Sequence, residues 1–299
     1  MIKEYALDPS LLRNWKDLRY FLETMGVTQG RLIARYPKRW KALVYEGLSE
    51  EIGDVERKRI EERLSTVNEK LFPRRGRWDD QVSWLENAEA EHSRAPFAGI
   101  VSLNNPRSNP SVLLGDEVHE GSEAWAATTQ IEVRRDPKVM ADSVAPLLRN
   151  SQEIVFIDPH FSLTARYTST LAAFLKVVAQ GGLTMRRIQY LCKASGDPGP
   201  FIRNCMVVLP RYVRKELTLE VILLKEEPGG EKLHDRFILT DRWGVQFSIG
   251  LDSHIKDQAT NTIVSLLSDE LWSSIYRKYV SDQRMFEQVG APIRIRGIA

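Results

Sequence analysis

The chain has 299 residues, of which 42% are hydrophobic and 27% charged, and its formal net charge is only +2. This is ordinary globular composition at a length sufficient for two domains, and the small net charge does not indicate a global field for binding polyanions. No uninterrupted apolar stretch reaches the roughly 18 residues that a membrane span needs, and the N-terminus MIKEYALDPS lacks the apolar core of a signal peptide, so we expect a cytoplasmic protein without a membrane partner.

The first third of the chain shows helical spacing of its apolar residues. Asp8 and Pro9 supply a helix cap and a first-turn proline, after which apolar residues recur at intervals of three and four. A second such stretch begins at Ser49, and a further helix is expected around residues 81–91. These patterns predict a small all-helical N-terminal domain, residues 1–95.

Basic residues are concentrated between Leu11 and Lys41. This segment holds eight cations against two carboxylates, together with Trp15, Tyr36 and Trp40. Such a segment suits contact with the phosphate backbone of nucleic acid or with an acidic partner protein, and the N-terminal helices could provide that contact. The alternative is a solvated helix face whose aromatic residues belong to the core.

From residue 96 onward, strand-like and helical stretches alternate. The run Glu153 to Ser162 (EIVFIDPHFS) is nearly continuous in apolar residues and then reaches Asp158-Pro159, as expected for a buried strand that opens into a site. His160 would lie near that opening, where it could act as a general acid, although Asp-Pro is first of all a turn signal. We predict that residues 96–299 form one α/β domain, a mixed β-sheet with helices on both faces.

The two cysteines, Cys192 and Cys205, are too few for a disulfide framework and belong to no metal-binding pattern. Cys192 falls in an apolar run and is expected to be a buried thiol. We expect no metal and no other cofactor.

The segment Leu233 to Asp241 (LHDRFILTD) carries the strongest chemical signal. It alternates like a strand, which would place His234 and Arg236 on one face. An imidazole can attack phosphorus, a neighbouring cation offsets charge on the phosphate oxygens, and a carboxylate fixes the ring tautomer. These are the ingredients for breaking a phosphodiester. The alternative is an ordinary strand histidine, followed by a hairpin turn that begins at Asp241.

This spacing resembles the motif of the phospholipase D superfamily, His-x-Lys-x-x-x-x-Asp followed by a Gly/Ser segment. Arg236 stands where the family has lysine; it keeps the charge and can bind phosphate in bidentate fashion, but its planar fork differs from an ammonium group. The Gly/Ser segment is represented by Ser248, Gly250 and Ser253, with Gly250 two residues later than in the family register. The resemblance extends over roughly residues 132–280.

The resemblance implies a metal-independent phosphodiesterase of the nuclease-like branch. In it, His234 is the nucleophile, Arg236 the phosphate clamp and Asp241 the orienting carboxylate. The expected phosphate or substrate contacts are Ser248, Gly250, Ser253 and His160.

A single motif per chain implies a homodimer, because superfamily phosphodiesterases pair two motifs, one histidine attacking and the other protonating the leaving oxygen. Single-motif relatives include nucleases of restriction and mobile-element defence systems, which makes DNA the expected partner. The alternative function is a catalytically inactive subunit that keeps the fold and binds nucleic acid or a protein. A phospholipase is less favoured, because nothing resembles an interfacial anchor.

Overall fold

The computed structural model describes residues 2–67, 71–74, 76–119, 125–181, 184–253, 260–282 and 284–299. The chain divides into two compact units, Met1–Thr129 and Gln130–Ala299. None of the described helices is long and apolar enough to cross a membrane.

The described part of Met1–Thr129 contains a five-stranded parallel sheet. Its strands are β1 (Lys3–Leu7), β2 (Arg31–Arg35), β3 (Leu71–Pro73), β4 (Gly99–Ser102) and β5 (Val112–Leu114). They lie in the order β3-β2-β1-β4-β5, and every neighbouring pair is parallel.

Helices cover both faces of this sheet. They are α1 (Trp15–Thr24), α2 (Trp40–Glu46), α3 (Asp54–Thr66) and α4 (Trp84–Arg94). On one face, Tyr5 and Ile33 belong to a core formed with α1, α2 and α3, and on the other, Ala6 and Ala34 share a core with α4. The sheet is therefore buried on both sides.

The prediction of an all-helical N-terminal domain ending at residue 95 is wrong. β1, β2 and β3 lie within that range, and β4 and β5, which follow it, complete the same sheet. Strands buried on both faces form short, continuous apolar runs without alternation, so strands of three to five residues are hard to recognise between helices. The first unit consequently extends to Thr129.

The unit Gln130–Ala299 is built on a mixed sheet. Its described strands are β6 (Gln130–Arg134), β7 (Glu153–Ile157), β8 (Arg187–Lys193), β9 (Thr218–Lys225), β10 (Phe237–Thr240), β11 (Gly244–Phe247), β12 (Asn261–Leu266), β13 (Glu287–Gln288) and β14 (Ile293–Arg296). They lie in the order β13-β9-β8-β7-β10-β11-β12-β6, with β14 also on β9. β7, β8 and β9 are parallel, and the other pairs are antiparallel.

Helices lie on both faces of the mixed sheet, as predicted. They are α5 (Pro137–Ser143), α6 (Ala145–Arg149), α7 (Ala165–Ala179), α8 (Gly199–Val208) and α9 (Asp269–Tyr279). Ile157 and Leu239 share a core with Ile275 of α9. On the opposite face, the ring of Phe156 stacks on Phe174 of α7 with centroids 5.5 Å apart.

The aromatic residues of the basic segment contribute mainly to the core. Tyr36 and Trp40 are buried, and the indole Nε1 of Trp40 donates a 2.6 Å hydrogen bond to the carbonyl oxygen of Leu7. Arg31 is also buried, and it donates to the carbonyl oxygen of Trp125. These residues stabilise the first unit and are not available to stack on nucleotide bases.

We predict that Trp40→Phe destabilises the first unit by about 1–3 kcal/mol, because it leaves the buried carbonyl of Leu7 without a donor. Urea unfolding followed by circular dichroism measures this change. Tyr45→Phe is the control, since Tyr45 lies on the same helix with 39% of its surface exposed. Equal stability of the two variants would contradict the structural role of Trp40.

Candidate functional site

Three chain segments leave the mixed sheet at one edge. β7 and β10 are antiparallel with Ile157 opposite Phe237, so residues 158–160 and residues 234–236 lie beyond the same end of this pair. The backbone N–H of Phe247 donates to the carbonyl oxygen of Arg236 at 3.0 Å, so the chain following β11 also leaves there. We call this region the Asp158 edge.

Asp158 is fully buried and joins two of these segments. Its Oδ1 accepts a 2.9 Å hydrogen bond from the backbone N–H of His160, and its Oδ2 accepts one of 2.8 Å from Leu251. Burial raises the pKa of Asp158, whereas the two N–H donors and the nearby guanidinium of Arg236 oppose that rise by favouring the carboxylate. Arg236 is thus electrostatically coupled to the buried acid.

A second buried carboxylate, Asp252, lies close to Asp158 and raises its pKa further. Asp252 forms ion pairs with Arg135 and with Arg166, the latter at 3.3 Å. A Cβ atom at Gly250 would clash with Oδ1 of Asp252, so a larger residue there would require this buried carboxylate to shift. The predicted Gly/Ser segment therefore contains a tightly packed turn at the edge.

His234 precedes strand β10 and does not lie in it. Its side chain is 65% exposed, with Nδ1 at 2.9 Å from the carbonyl oxygen of Lys232 and Nε2 at 3.5 Å from Oδ1 of Asp235. The predicted common strand face of His234 and Arg236 is not formed, because the strand begins at Phe237. The alternation of apolar residues extends further towards the N-terminus than the backbone pairing does.

The structure nevertheless brings Arg236 to His234. Nη1 of Arg236 donates a 2.6 Å hydrogen bond to the carbonyl oxygen of His234. Its Nε is buried and has no hydrogen-bond partner among the described residues. The guanidinium of Arg236 is therefore bonded to the backbone of the residue that carries the imidazole.

The carboxylate beside His234 is Asp235. Its Oδ2 accepts a hydrogen bond of 3.1 Å from the hydroxyl of Tyr279 and lies 3.5 Å from Nζ of Lys278, both in α9. These contacts fix Asp235 on the sheet face covered by α9, next to the exposed ring. The sequence motif gave no reason to prefer this residue as the partner of the histidine.

Asp241 lies at the opposite end of β10, so it does not orient the ring of His234. Its Oδ1 accepts hydrogen bonds from the backbone N–H groups of Gln152, at 3.0 Å, and Glu153, at 3.3 Å. Arg186 approaches its Oδ2 at 3.9 Å. Of the three residues predicted to lie together, only His234 and Arg236 are neighbours in the structure. Asp241 instead connects the end of β10 to the start of β7.

The two predicted serine contacts, Ser248 and Ser253, have structural partners. The hydroxyl of Ser248 accepts a 3.0 Å hydrogen bond from Ile263 of β12, and that of Ser253 donates to the carbonyl oxygen of Arg166 at 3.3 Å. His160 is exposed at the Asp158 edge. Asp252 and Arg166 were missed because packing of α7 against the sheet brings them together, and no local spacing signals that contact.

No group of three or more His, Cys, Asp or Glu side chains in the described ranges is arranged to hold a metal ion. Cys192 and Cys205 are free and buried, and burial raises the pKa of both thiols, that of Cys205 to about 12. The expected burial of Cys192 is confirmed.

Comparison with known proteins gave matches in structure alone. No protein-family model and no curated protein matches the chain in sequence. Similar solved structures include Nuc, a phospholipase D family member from Salmonella typhimurium, at 11% identity and a TM-score of 0.35 over 54% of this chain and 98% of that one. Another is TrmBL2, an archaeal chromatin protein described as binding DNA, at 13% identity and a TM-score of 0.29 over 57% of each chain. Neither likeness defines an activity for this chain.

We predict that stability depends on pH through Asp158. A raised pKa means that, above the ordinary aspartate value of about 4, the folded state binds more protons than the unfolded state, so stability falls as pH rises through the folded pKa. In Asp158→Asn, the decrease in the free energy of unfolding with rising pH should be smaller, because this group no longer titrates. The exposed control Asp282→Asn should show the same decrease as the wild type. Urea unfolding at a series of pH values measures the slopes, and identical slopes for wild type and Asp158→Asn would contradict the prediction.

We predict that Asp241→Ala lowers the free energy of unfolding by about 1–3 kcal/mol, because two backbone donors at the start of β7 lose their acceptor. Asp241→Asn, which keeps one acceptor oxygen, should lose less. Urea unfolding followed by circular dichroism measures both changes. Unchanged stability of Asp241→Ala would contradict the anchoring role of Asp241.

Proposed function

We propose that the unit Gln130–Ala299 binds the phosphodiester backbone of DNA at the Asp158 edge and cleaves it through His234 as a metal-independent nuclease. The supporting observation is the hydrogen bond from Arg236 to the carbonyl oxygen of His234, which ties the guanidinium to the backbone of the residue that carries an exposed imidazole. A cation held two residues from the ring can contact the phosphate that the ring attacks.

The contacts of His234 favour one tautomer for attack. When Nδ1–H donates to the carbonyl oxygen of Lys232, Nε2 carries the lone pair. Nε2 can then attack phosphorus, while Arg236 offsets the charge that develops on the phosphate oxygens. Asp235, 3.5 Å from Nε2, stabilises the ring when it is protonated.

The leaving oxygen also needs a proton donor. In the single-motif enzymes that the sequence resembles, the same histidine of a second copy supplies it, and this resemblance is what favours a homodimer. A role in a defence or mobile-element system follows from the same resemblance and extends the proposal to a biological setting.

The alternative function is nucleic-acid binding without turnover. It is favoured by the contact between Nε2 of His234 and Asp235, which occupies the nucleophilic nitrogen, and by the coupling of Arg236 to buried Asp158. In this alternative, the guanidinium organises the edge and holds phosphate, and no covalent intermediate forms.

We predict that His234→Ala abolishes cleavage of an end-labelled DNA duplex or single strand, both in the presence and in the absence of EDTA. Binding of the same DNA should fall only modestly and remain dependent on salt, because Arg236 is retained. His119→Ala, which removes an exposed histidine of the other unit, is the control and should cleave as the wild type does.

The two functions give opposite results in this experiment. A wild type that binds DNA without cleaving it would replace the nuclease with the binding subunit. Cleavage that requires added magnesium, or that survives in His234→Ala, would contradict the histidine mechanism.

A further inference from the structure

Two histidines of the same chain lie at the Asp158 edge. Ile157 of β7 and Phe237 of β10 are antiparallel partners. His160 lies three residues after Ile157, and His234 lies three residues before Phe237. Because the two segments leave the sheet from one residue pair in adjacent strands, they begin about 5 Å apart. The chain itself therefore carries a second imidazole beyond the same end of this strand pair as the candidate nucleophile.

The backbone on both sides of His160 is held in place. The backbone N–H of Lys193 donates to the carbonyl oxygen of Pro159 at 3.2 Å, and that of Phe161 donates to the carbonyl oxygen of Asp158 at 3.2 Å. Phe161 is buried, and its ring lies 4.0 Å from that of Tyr190, centroid to centroid. His160 is exposed between these fixed neighbours, and its ring has no hydrogen-bond partner among the described residues.

Asp158 connects His160 with the phosphate clamp. One oxygen of its carboxylate accepts the backbone N–H of His160, and the charge of the same carboxylate interacts with Arg236. A shift of the buried acid would therefore affect both residues. Such a shared anchor is the kind of support that keeps catalytic groups in register.

We propose that His160 of the same chain, in place of His234 of a second copy, is the general acid of the cleavage reaction, an inference that rests on the proposed nuclease function. Nε2 of His234 forms a bond to phosphorus as the bond from phosphorus to the leaving oxygen breaks. That oxygen takes the electron pair of the broken bond and a proton from the imidazolium of His160, so that an alcohol departs and a phosphohistidine remains.

Hydrolysis of the intermediate uses the same residues in reverse. Neutral His160 accepts a proton from water as the water oxygen bonds to phosphorus. The phosphorus–nitrogen bond breaks, and its electron pair returns to His234. One diester and one water thus give a monoester and an alcohol, without a second copy of the chain.

Two substrates with different leaving groups test this role. DNA releases an alkoxide, which needs protonation, whereas bis(p-nitrophenyl) phosphate releases a stable phenolate. We expect His160→Ala to lose about 100-fold or more in kcat on DNA, the range for general acid catalysis, and to lose far less on the nitrophenyl diester. His234→Ala should lose activity on both, and circular dichroism confirms that each variant is folded.

Each other outcome overturns the inference. An unchanged rate of His160→Ala on DNA would show that the proton comes from elsewhere, and equal losses on both substrates would show a structural role. Restored DNA cleavage on mixing His160→Ala with His234→Ala would show that the two histidines act in different copies. Absence of cleavage by the wild type would refute the nuclease function as well, whereas the first three results would leave it intact.

Discussion

Burial of the Asp158 carboxylate is the constraint on which the candidate site depends. An ionised carboxylate removed from water is unfavourable unless donors and cations surround it. Here the donors are backbone N–H groups of His160 and Leu251, and the cation is Arg236. Because these residues belong to three separate segments, the two hydrogen bonds of one buried acid and its interaction with the charge of Arg236 link all three.

The mixed sheet explains why these segments meet. The carboxyl ends of the parallel strands β7, β8 and β9 lie at one edge, which is where ligands bind in open α/β sheets. β10 and β11 are antiparallel additions, so the start of one and the end of the other lie beside the end of β7. Polar residues that are distant in sequence therefore lie together at the end of these strands, where the backbone hydrogen bonds of the sheet stop.

The sequence was informative where a local interaction determines structure. Asp136 and Pro137, a cap residue followed by a first-turn proline, begin α5, where the Asp136 side chain accepts hydrogen bonds from two backbone N–H groups. The apolar run at Glu153 is strand β7. The parallel strands β1, β2 and β3 of the first unit could not be recognised, because burial on both faces removes their alternation. The pairing of Asp252 with Arg166 was equally hidden, since it arises from tertiary packing of distant segments.

The spacing of the motif places His234 and Asp241 at the two ends of strand β10. Asp241 follows His234 by seven positions, and the four-residue strand β10 between them spans roughly 13 Å at about 3.3 Å per residue. The two residues therefore lie at opposite ends of β10. A carboxylate at one end of the strand holds the start of β7, and an imidazole at the other end faces solvent. The motif thus combines a structural anchor with a chemical group, and the strand between them keeps the histidine at the edge where Asp158 is buried.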